Sequence, residues 1–440
     1  MVNISEILMT VFILFFLTLL VYAVFSYSLV DPNLVLSSNA YYWSFQNWMW
    51  STFFHNGHLM AYVYFGIIIS LFILYFHILD KLKTKKISLK KIIKNKYVLL
   101  FLVLIFPIFL SYNALSHDVF NYIFYARMIV KYGVDSRTHI PLDFPNDLWI
   151  RFMHNTHVTD VYGRGWTYSS IIPYILGFGK FSLTLVSFRF WNFFAMILLY
   201  FSMQYFSRTL NNRNMNLYEA SLVFLNPLLL IEAISNYHND ILMIPFAVLA
   251  VSLLIKSITS KITDNKLKLK YIVFSLIALS ISISIKLATI ALLPIWLLVI
   301  GVSYFSFKFA TKMATKFRIK INEGVYQKLI FTFFGKFVGY IPDLAAGLMM
   351  ILLFTPRSNY FLPWYMIWVI VWIPFMKLKL FRNLIIIFTL SSCLRYLPWL
   401  FNNLEYTDQV LRNQKLITWI IPGIFLLSRF KRIGQTTDKS

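Results

Sequence analysis

Residues Ile7 to Val30 read ILMTVFILFFLTLLVYAVFSYSLV, an apolar run without a charged residue. About 20 mostly apolar residues suffice for a helix to cross the hydrocarbon core of a bilayer. The run is longer than a typical signal-peptide core, lacks a basic segment before it and has no clear small-residue cleavage site. It therefore predicts a retained membrane-spanning helix.

Similar apolar runs recur along the chain, and hydrophobic residues make up 59% of it against 13% charged residues. An ordinary soluble domain does not have this composition. The sequence predicts an all-α, polytopic bundle of about twelve spans, forming one integral-membrane domain over residues 1–440. The predicted spans are 7–29, 59–79, 97–115, 181–206, 217–234, 241–257, 271–286, 287–306, 329–354, 363–376, 383–400 and 414–428. The shorter apolar stretch 167–179 predicts a re-entrant or interfacial piece.

A formal charge of +24 is typical of proteins that bind nucleic acid, but the position of the basic residues argues against that function. They cluster between apolar runs, in the pattern of cytoplasmic loops. With the N-terminus inside, the predicted cytoplasmic segments hold 28 of the 41 Lys and Arg residues. The lipid bilayer, not nucleic acid, is the expected partner, and residues 116–166 become a large outer loop with interfacial helices.

The sequence predicts no disulfide, metal site or nucleotide-binding motif. The one cysteine, Cys393, cannot form an intrachain disulfide. The His and Asp residues of 116–166 lack a tight metal-binding spacing, so no metal ligand is predicted, although dependence on a divalent metal stays open. There is no phosphate-binding glycine motif of a nucleotide fold. No cofactor is predicted, and a soluble nucleotide-sugar donor is poorly supported.

The first polar element is Ser116-His117-Asp118-Val119-Phe120-Asn121-Tyr122-Ile123-Phe124-Tyr125-Ala126-Arg127, directly after an apolar run. The stretch from Asp118 to Tyr132 has a helical pattern that places Asp118, Tyr122 and Tyr125 on one face. An ionisable residue at the mouth of a membrane helix is a functional candidate, and a carboxylate there suits a general base. The alternative is that Asp118 caps the helix.

Two further polar elements follow. Glu232 lies in an apolar run before Asn236-Tyr237-His238-Asn239-Asp240, which is either a functional turn or a loop that caps two helices. Lys286 and Arg357 lie near predicted outer ends of spans. Cations of this kind bind phosphate groups, and the alternative is that they extend to lipid headgroups.

These elements, in this order, resemble the GT-C superfamily of membrane glycosyltransferases, and more narrowly the prokaryotic polyprenyl-phosphate-mannose-dependent mannosyltransferases. The resemblance covers about 116–365, and its most specific piece runs from Glu232 to Asp240. The other matching pieces are His117 to Tyr122 with Tyr125-Ala126-Arg127 and Tyr132-Gly133, Tyr162-Gly163 to Trp166, Asn226-Pro227, Lys286 before Pro294, and Pro363-Trp364-Tyr365.

The resemblance implies an inverting transfer of a sugar, with mannose the leading choice, from a polyprenyl-phosphate donor to a glycan or glycolipid. Asp118 is then the catalytic base, and Lys286, Arg357 or both bind the donor phosphate. The expected substrate-binding residues are His117, Tyr122, Arg127, Glu232, His238 and Asp240. Two departures stand out: Val134-Asp135-Ser136 replaces the usual Asn-Pro-Tyr, and Arg164-Gly165 stands where Gly-Pro is expected, making Arg164 a candidate third phosphate cation.

Two alternatives remain at this stage. A lipid-linked oligosaccharide flippase or another secondary transporter would suit twelve spans with intramembrane charges, but no inverted repeat or paired broken helices are seen. An oligosaccharide polymerase or ligase of related fold differs only in its substrates. The expected location is a prokaryotic plasma membrane with the active site on the outer face.

Overall fold

A computed structural model describes residues 4–32, 34, 36–84, 105–259, 265–299, 301, 337–355 and 361–437. These residues form helices and connecting turns, with no strand among them. The helices are α1 (Ile4–Ser26), α2 (Ala40–Met49), α3 (Gly57–Thr84), α4 (Asp118–Tyr132), α5 (Arg164–Ile175), α6 (Phe181–Asn211), α7 (Leu217–Phe224), α8 (Pro227–Ser235), α9 (Asp240–Thr259), α10 (Asn265–Ile285), α11 (Leu287–Val299), α12 (Ile341–Phe354), α13 (Pro363–Phe375), α14 (Lys379–Leu394), α15 (Leu397–Phe401) and α16 (Asp408–Thr437).

Several of these helices are long and apolar enough to cross a membrane, which confirms a helical membrane protein. The described residues contain six such helices, or seven if the bent pair α7–α8 counts as one span. The six are Leu8–Leu29, Gly57–Lys83, Phe181–Asn211, Asp240–Ile258, Lys266–Ile285 and Lys379–Phe401. The count of twelve stays a prediction, because the predicted spans 97–115, 287–306 and 329–354 lie partly outside the described residues.

The bent pair breaks at Asn226-Pro227, where α7 and α8 meet at 50°. Proline has no backbone N–H to continue the helical ladder, so a helix readily ends before it and a new one begins. Asn226 caps the new helix, because its side-chain oxygen accepts a hydrogen bond from the Leu228 N–H at 3.0 Å. The last turns of α8 have π-helical geometry and carry the buried Glu232.

The bounds Asp118–Tyr132 predicted for a helix are those of α4. Residues 119–126 are buried by protein, so protein covers this helix more fully than the predicted surface helix would be covered. One predicted span needs correction. The predicted span 363–376 corresponds to α13, which is too short to cross a bilayer alone. It is also buried on nearly all sides, as an inner segment of the bundle.

The packing brings several helix ends together at one end of the bundle. Helix α9 packs against α6 and α10, and α4 packs against α5. The contact between Asp240 and Lys286 joins the start of α9 to the residue after α10. Basic residues such as Lys256 and Lys266 lie at the opposite ends of these two helices. Polar residues at the first end form the site described next.

Candidate active site

Three ionisable side chains form a row. His238 Nδ1 lies 3.6 Å from Asp118 Oδ2, and His238 Nε2 lies 3.3 Å from Glu232 Oε2. The side chains of His238 and Glu232 are fully buried, whereas that of Asp118 is 27% exposed. Asp118 is therefore the member of the row that a substrate can reach.

Neighbouring side chains fix this row in place. The His238 ring stacks on Trp364, with ring centroids 3.7 Å apart. Glu232 accepts hydrogen bonds from the Tyr396 hydroxyl at 2.9 Å and from Asn236 Nδ2 at 3.0 Å. His117, not Asp118, is the N-cap residue of α4, so the Asp118 carboxylate is not used for capping.

The second charged cluster is a buried ion pair. Lys286 Nζ donates to both carboxylate oxygens of Asp240, at 2.8 and 2.9 Å, and Trp368 Nε1 donates to Asp240 Oδ1. The Asp240 side chain is fully buried and that of Lys286 is 25% exposed. The ion pair holds Lys286 inside the protein, so this residue does not extend toward lipid headgroups.

Two cavities adjoin these clusters. One, of about 730 Å³, is lined by Asp118 and His117 and by aromatic side chains such as Trp364, Trp399 and Tyr406; we call it the Asp118 cavity. It also contains the carboxylate of Asp31 and the side chains of Asn121 and His154. Such a mixture of aromatic faces and polar groups suits a sugar, which has both apolar ring faces and hydroxyls.

The other cavity, of about 670 Å³, is lined by Lys286, Arg164 and Arg137, and we call it the Lys286 cavity. Part of its lining is apolar and open to the outside of the bundle, since Leu287 is 64% and Ile290 49% exposed. A basic chamber with an apolar opening suits a ligand that joins a phosphate to a lipid chain.

The two cavities lie close together because neighbouring residues line them. Trp364 lines the Asp118 cavity, and the next residue, Tyr365, lines the Lys286 cavity. Tyr122 bridges them on α4: its hydroxyl lies 3.5 Å from Asp118 Oδ2, and its ring packs against that of Tyr162. Tyr162 lines the Lys286 cavity.

The segment Gly163-Arg164-Gly165 packs against the end of α10. A Cβ atom at Gly163 would overlap the carbonyl oxygens of Ser284 and Ile285, and one at Gly165 would overlap the Ser284 side chain. Only glycine allows this approach, which places Arg164 beside Lys286 on the cavity wall. Gly163 is the N-cap residue of α5, and Arg164 and Gly165 begin that helix.

Replacing Gly163 with alanine is expected to lower the free energy of unfolding by about 1–3 kcal/mol, the usual effect of overpacking. Any activity of this site should fall by at least 10-fold, because the backbone must shift where Arg164 and Lys286 meet. The control is Gly66→Ala in α3, where the added methyl meets open space. Melting temperature and turnover of the purified protein check this; a Gly163→Ala protein equal to wild type in both would contradict the close packing.

Helix α6 holds the polar turn in position. Asn192 Nδ2 donates to the backbone oxygens of Ala233 at 2.8 Å and His238 at 3.3 Å. Arg189, one turn earlier, donates to the Phe109 carbonyl, and its guanidinium lies 4.7 Å from the Tyr237 ring centroid. Tyr237 has a φ of 61°, a left-handed conformation that such contacts must stabilise.

Two of the predicted site residues, Arg127 and Tyr122, line neither cavity. Arg127 Nε donates to Asp147 at 2.6 Å, and its guanidinium lies 4.0 Å from the Trp149 ring centroid, so it holds the loop after α4. Tyr122 is buried and touches Asp118 without lining either cavity. Arg357 lies outside the described residues. The structure does bring together Asp118, Glu232 and His238, and separately Asp240, Lys286 and Arg164.

His117 stacks on His154 at the edge of the Asp118 cavity, with ring centroids 4.0 Å apart. Burial, with a smaller contribution from His154, lowers the pKa of His117 from 6.5 to about 4. The unfolded chain therefore binds a proton at a higher pH than the folded protein does. The free energy of unfolding should fall as pH decreases from 6.5 towards 4 and be unaffected by this group above that window.

The expected contribution of His117 is about 1 kcal/mol of stability lost between pH 7 and 5, allowing for its partial exposure. His117→Gln should remove it and flatten the pH dependence of the melting temperature. The matched control is His157→Gln, an exposed histidine of the same loop. Equal pH slopes for wild type and His117→Gln would refute this assignment.

Sequence reasoning missed several residues of the site. Tyr396 and Trp368 bind the buried carboxylates, but each lies in an apolar run where an aromatic residue gives no functional signal. Asn192 and Arg189 lie within a long apolar helix, and the rarity of arginine in such a helix is the one usable signal. The described residues contain no group of three or more His, Cys, Asp or Glu side chains that could hold a metal.

The fold and site define a helical membrane protein with buried charges and two adjoining cavities at one end of its bundle. A sequence model of the MptA_B family, described as alpha-(1->6)-mannopyranosyltransferase, N-terminal domain, matches residues 18–302. Because the match covers more than half of the chain, the protein belongs to this mannosyltransferase family. No curated protein and no solved structure matches the chain.

Proposed function

We propose that this protein transfers mannose from a polyprenyl-phosphate donor to a hydroxyl of a glycan or glycolipid, with inversion at the anomeric carbon and Asp118 as the general base. One observation carries the proposal: a partly exposed carboxylate faces an aromatic, polar cavity that adjoins a basic cavity open to the outside of the bundle. Family membership supports the transferred sugar.

The Lys286 cavity is proposed to bind the donor. Its exposed apolar residues Leu287 and Ile290 would contact the isoprenoid chain, which stays in the bilayer. Arg164 and Arg137 would bind the phosphate, since guanidinium groups match phosphate oxygens in pairs. Lys286, which its ion pair with Asp240 holds in place, would supply a third cation to the phosphate.

The Asp118 cavity is proposed to bind the acceptor. The acceptor oxygen attacks the anomeric carbon while its proton passes to an Asp118 carboxylate oxygen. The bond between the anomeric carbon and the phosphate oxygen breaks, and its electron pair leaves with the lipid phosphate. Attack from one cavity and departure into the other matches a single displacement with inversion, and a positioned base contributes about 100-fold or more to such a step.

His238 is proposed to orient Asp118. Its ring is fixed by Trp364 on one face, and its second nitrogen faces the buried Glu232. This arrangement holds one Asp118 oxygen toward the histidine and leaves the other free for the acceptor. Fixed orientation of a base is a large part of its catalytic effect.

The proposed location is a prokaryotic plasma membrane, with both cavities on the outer face. The described ends of α9 and α10 that carry lysines lie opposite the site. Basic residues concentrate on the cytoplasmic side of membrane proteins, so the site would face outward. A donor with its sugar presented at the outer surface then needs no soluble nucleotide.

The experiment is a donor comparison with purified protein. Short-chain polyprenyl-phosphate mannose and a nucleotide-linked mannose are each offered with an oligomannoside acceptor, and products are separated by mass. We expect product from the lipid-linked donor alone. Product from the nucleotide-linked donor alone would overturn the donor assignment. Movement of a lipid-linked sugar across vesicle membranes without any transfer would favour the transporter alternative.

A further inference from the structure

Two side chains in the polar turn of residues 236–240, those of His238 and Asn239, lack a hydrogen-bond partner among the described residues. Asn236 bonds Glu232, His238 lies between Asp118 and Glu232, and Asp240 pairs with Lys286. Asn239 is 1% exposed, yet neither Nδ2 nor Oδ1 has a hydrogen-bond partner among the described residues. It lines the Lys286 cavity.

A buried amide without partners is costly. Leaving such a donor or acceptor unsatisfied usually disfavours folding, and buried polar groups in native proteins nearly always have partners. Apolar residues of similar size would fill this position more favourably in the ligand-free protein. The amide therefore indicates a ligand that supplies the missing hydrogen bonds.

The position of Asn239 indicates which part of the ligand this is. The preceding residue, His238, contacts the proposed base, and the following residue, Asp240, holds Lys286 at the proposed phosphate site. In a single displacement the sugar lies between the base and the leaving phosphate. Asn239 therefore lies at the level of the sugar ring.

We propose that Asn239 recognises the donor sugar through two hydrogen bonds. Nδ2 donates to one ring hydroxyl, and Oδ1 accepts from an adjacent hydroxyl. This inference rests on the proposed function and deepens it. A buried site that pairs with a substrate hydroxyl strongly rejects analogues that lack it, because its own groups are then left unpaired. Asn239 would thus determine which sugar is transferred.

The test combines deoxygenated donors with Asn239→Ala. Short-chain polyprenyl-phosphate mannose and its 2-, 3- and 4-deoxy forms are offered to both proteins, and kcat/KM is measured. We expect wild type to lose about 100-fold or more on one deoxy donor or two adjacent ones. The variant should use those deoxy donors and the parent donor with the same kcat/KM, which should be lower than that of wild type with the parent donor.

Two failures can be told apart. If the variant discriminates among the donors as wild type does, Asn239 does not recognise the sugar, while the proposed function stands. If wild type uses no polyprenyl-phosphate mannose, the proposed function fails and this inference fails with it. A purely structural role of Asn239 would lower kcat/KM for all donors by the same factor in the variant and leave the ratios between donors unchanged.

A second measurement does not depend on turnover. Asn239→Leu keeps the size of the side chain and removes the unpaired amide, so the ligand-free protein should melt about 1–3 °C higher than wild type. Asn236→Leu is the control, because its amide is paired and its loss should lower the melting temperature. A fall of several degrees for Asn239→Leu would show that the amide has partners without a ligand and would overturn the inference.

Discussion

Asp118→Asn is expected to lower mannose transfer by about 100-fold or more and to leave the melting temperature within about 1 °C of wild type. The amide keeps the shape of the carboxylate but cannot take the acceptor proton. Asp118 does not cap α4 and is partly exposed, so little structural stabilisation depends on its charge. Single-turnover rates with saturating donor measure the effect on the chemical step.

The control for this variant is Asp31→Asn, a second carboxylate on the wall of the same cavity. Its loss should change turnover by less than 10-fold, because Asp118 keeps its own contact with His238. Equal turnover of wild type and Asp118→Asn would remove Asp118 from the mechanism. Asp240 would be a poor replacement, since Lys286 and Trp368 already bind its oxygens.

Lys286→Gln is expected to have the second large effect, on stability and on donor use together. It leaves Asp240 buried with Trp368 as its remaining partner, and breaking a buried ion pair on one side costs about 3 kcal/mol. The cavity also loses a cation, so kcat/KM for the donor should fall by about 100-fold. Melting temperature and donor titrations measure the two losses separately.

The double variant Asp240→Asn/Lys286→Gln separates these effects. With both charges removed, no unpaired ion remains, and most of the lost stability should return. Donor use should stay impaired, because the cation is still absent. A double variant with the kcat/KM of wild type would mean that the ion pair serves the fold and that Lys286 does not bind the donor phosphate.

The sequence predicted the helices of this protein where its physical signals are local. Apolar length marked the long helices, and the spacing of Asp118, Tyr122 and Tyr125 predicted α4 with its bounds. The same pattern did not reveal that protein, not lipid headgroups, covers α4, because burial depends on helices distant in sequence. The buried α13 was mistaken for a span for the same reason.

Several residues of the candidate site drew attention in the sequence, but their contacts could not be predicted from it. Ionisable groups in apolar surroundings drew attention to Asp118, Glu232 and Lys286. Their partners lie far along the chain: Lys286 is 46 residues from Asp240, and Tyr396 is 164 from Glu232. Arg127 illustrates the limit, because a conspicuous cation proved to hold a buried aspartate of a loop.

The configuration of the product tests the central claim most directly. A short-chain polyprenyl-phosphate donor with a β-linked mannose is supplied to the purified protein, and the new glycosidic bond is assigned by the one-bond carbon–hydrogen coupling at its anomeric carbon. A single displacement with Asp118 as base predicts an α-linked product, in keeping with the family description. A β-linked product would mean retention through two displacements and would contradict the mechanism.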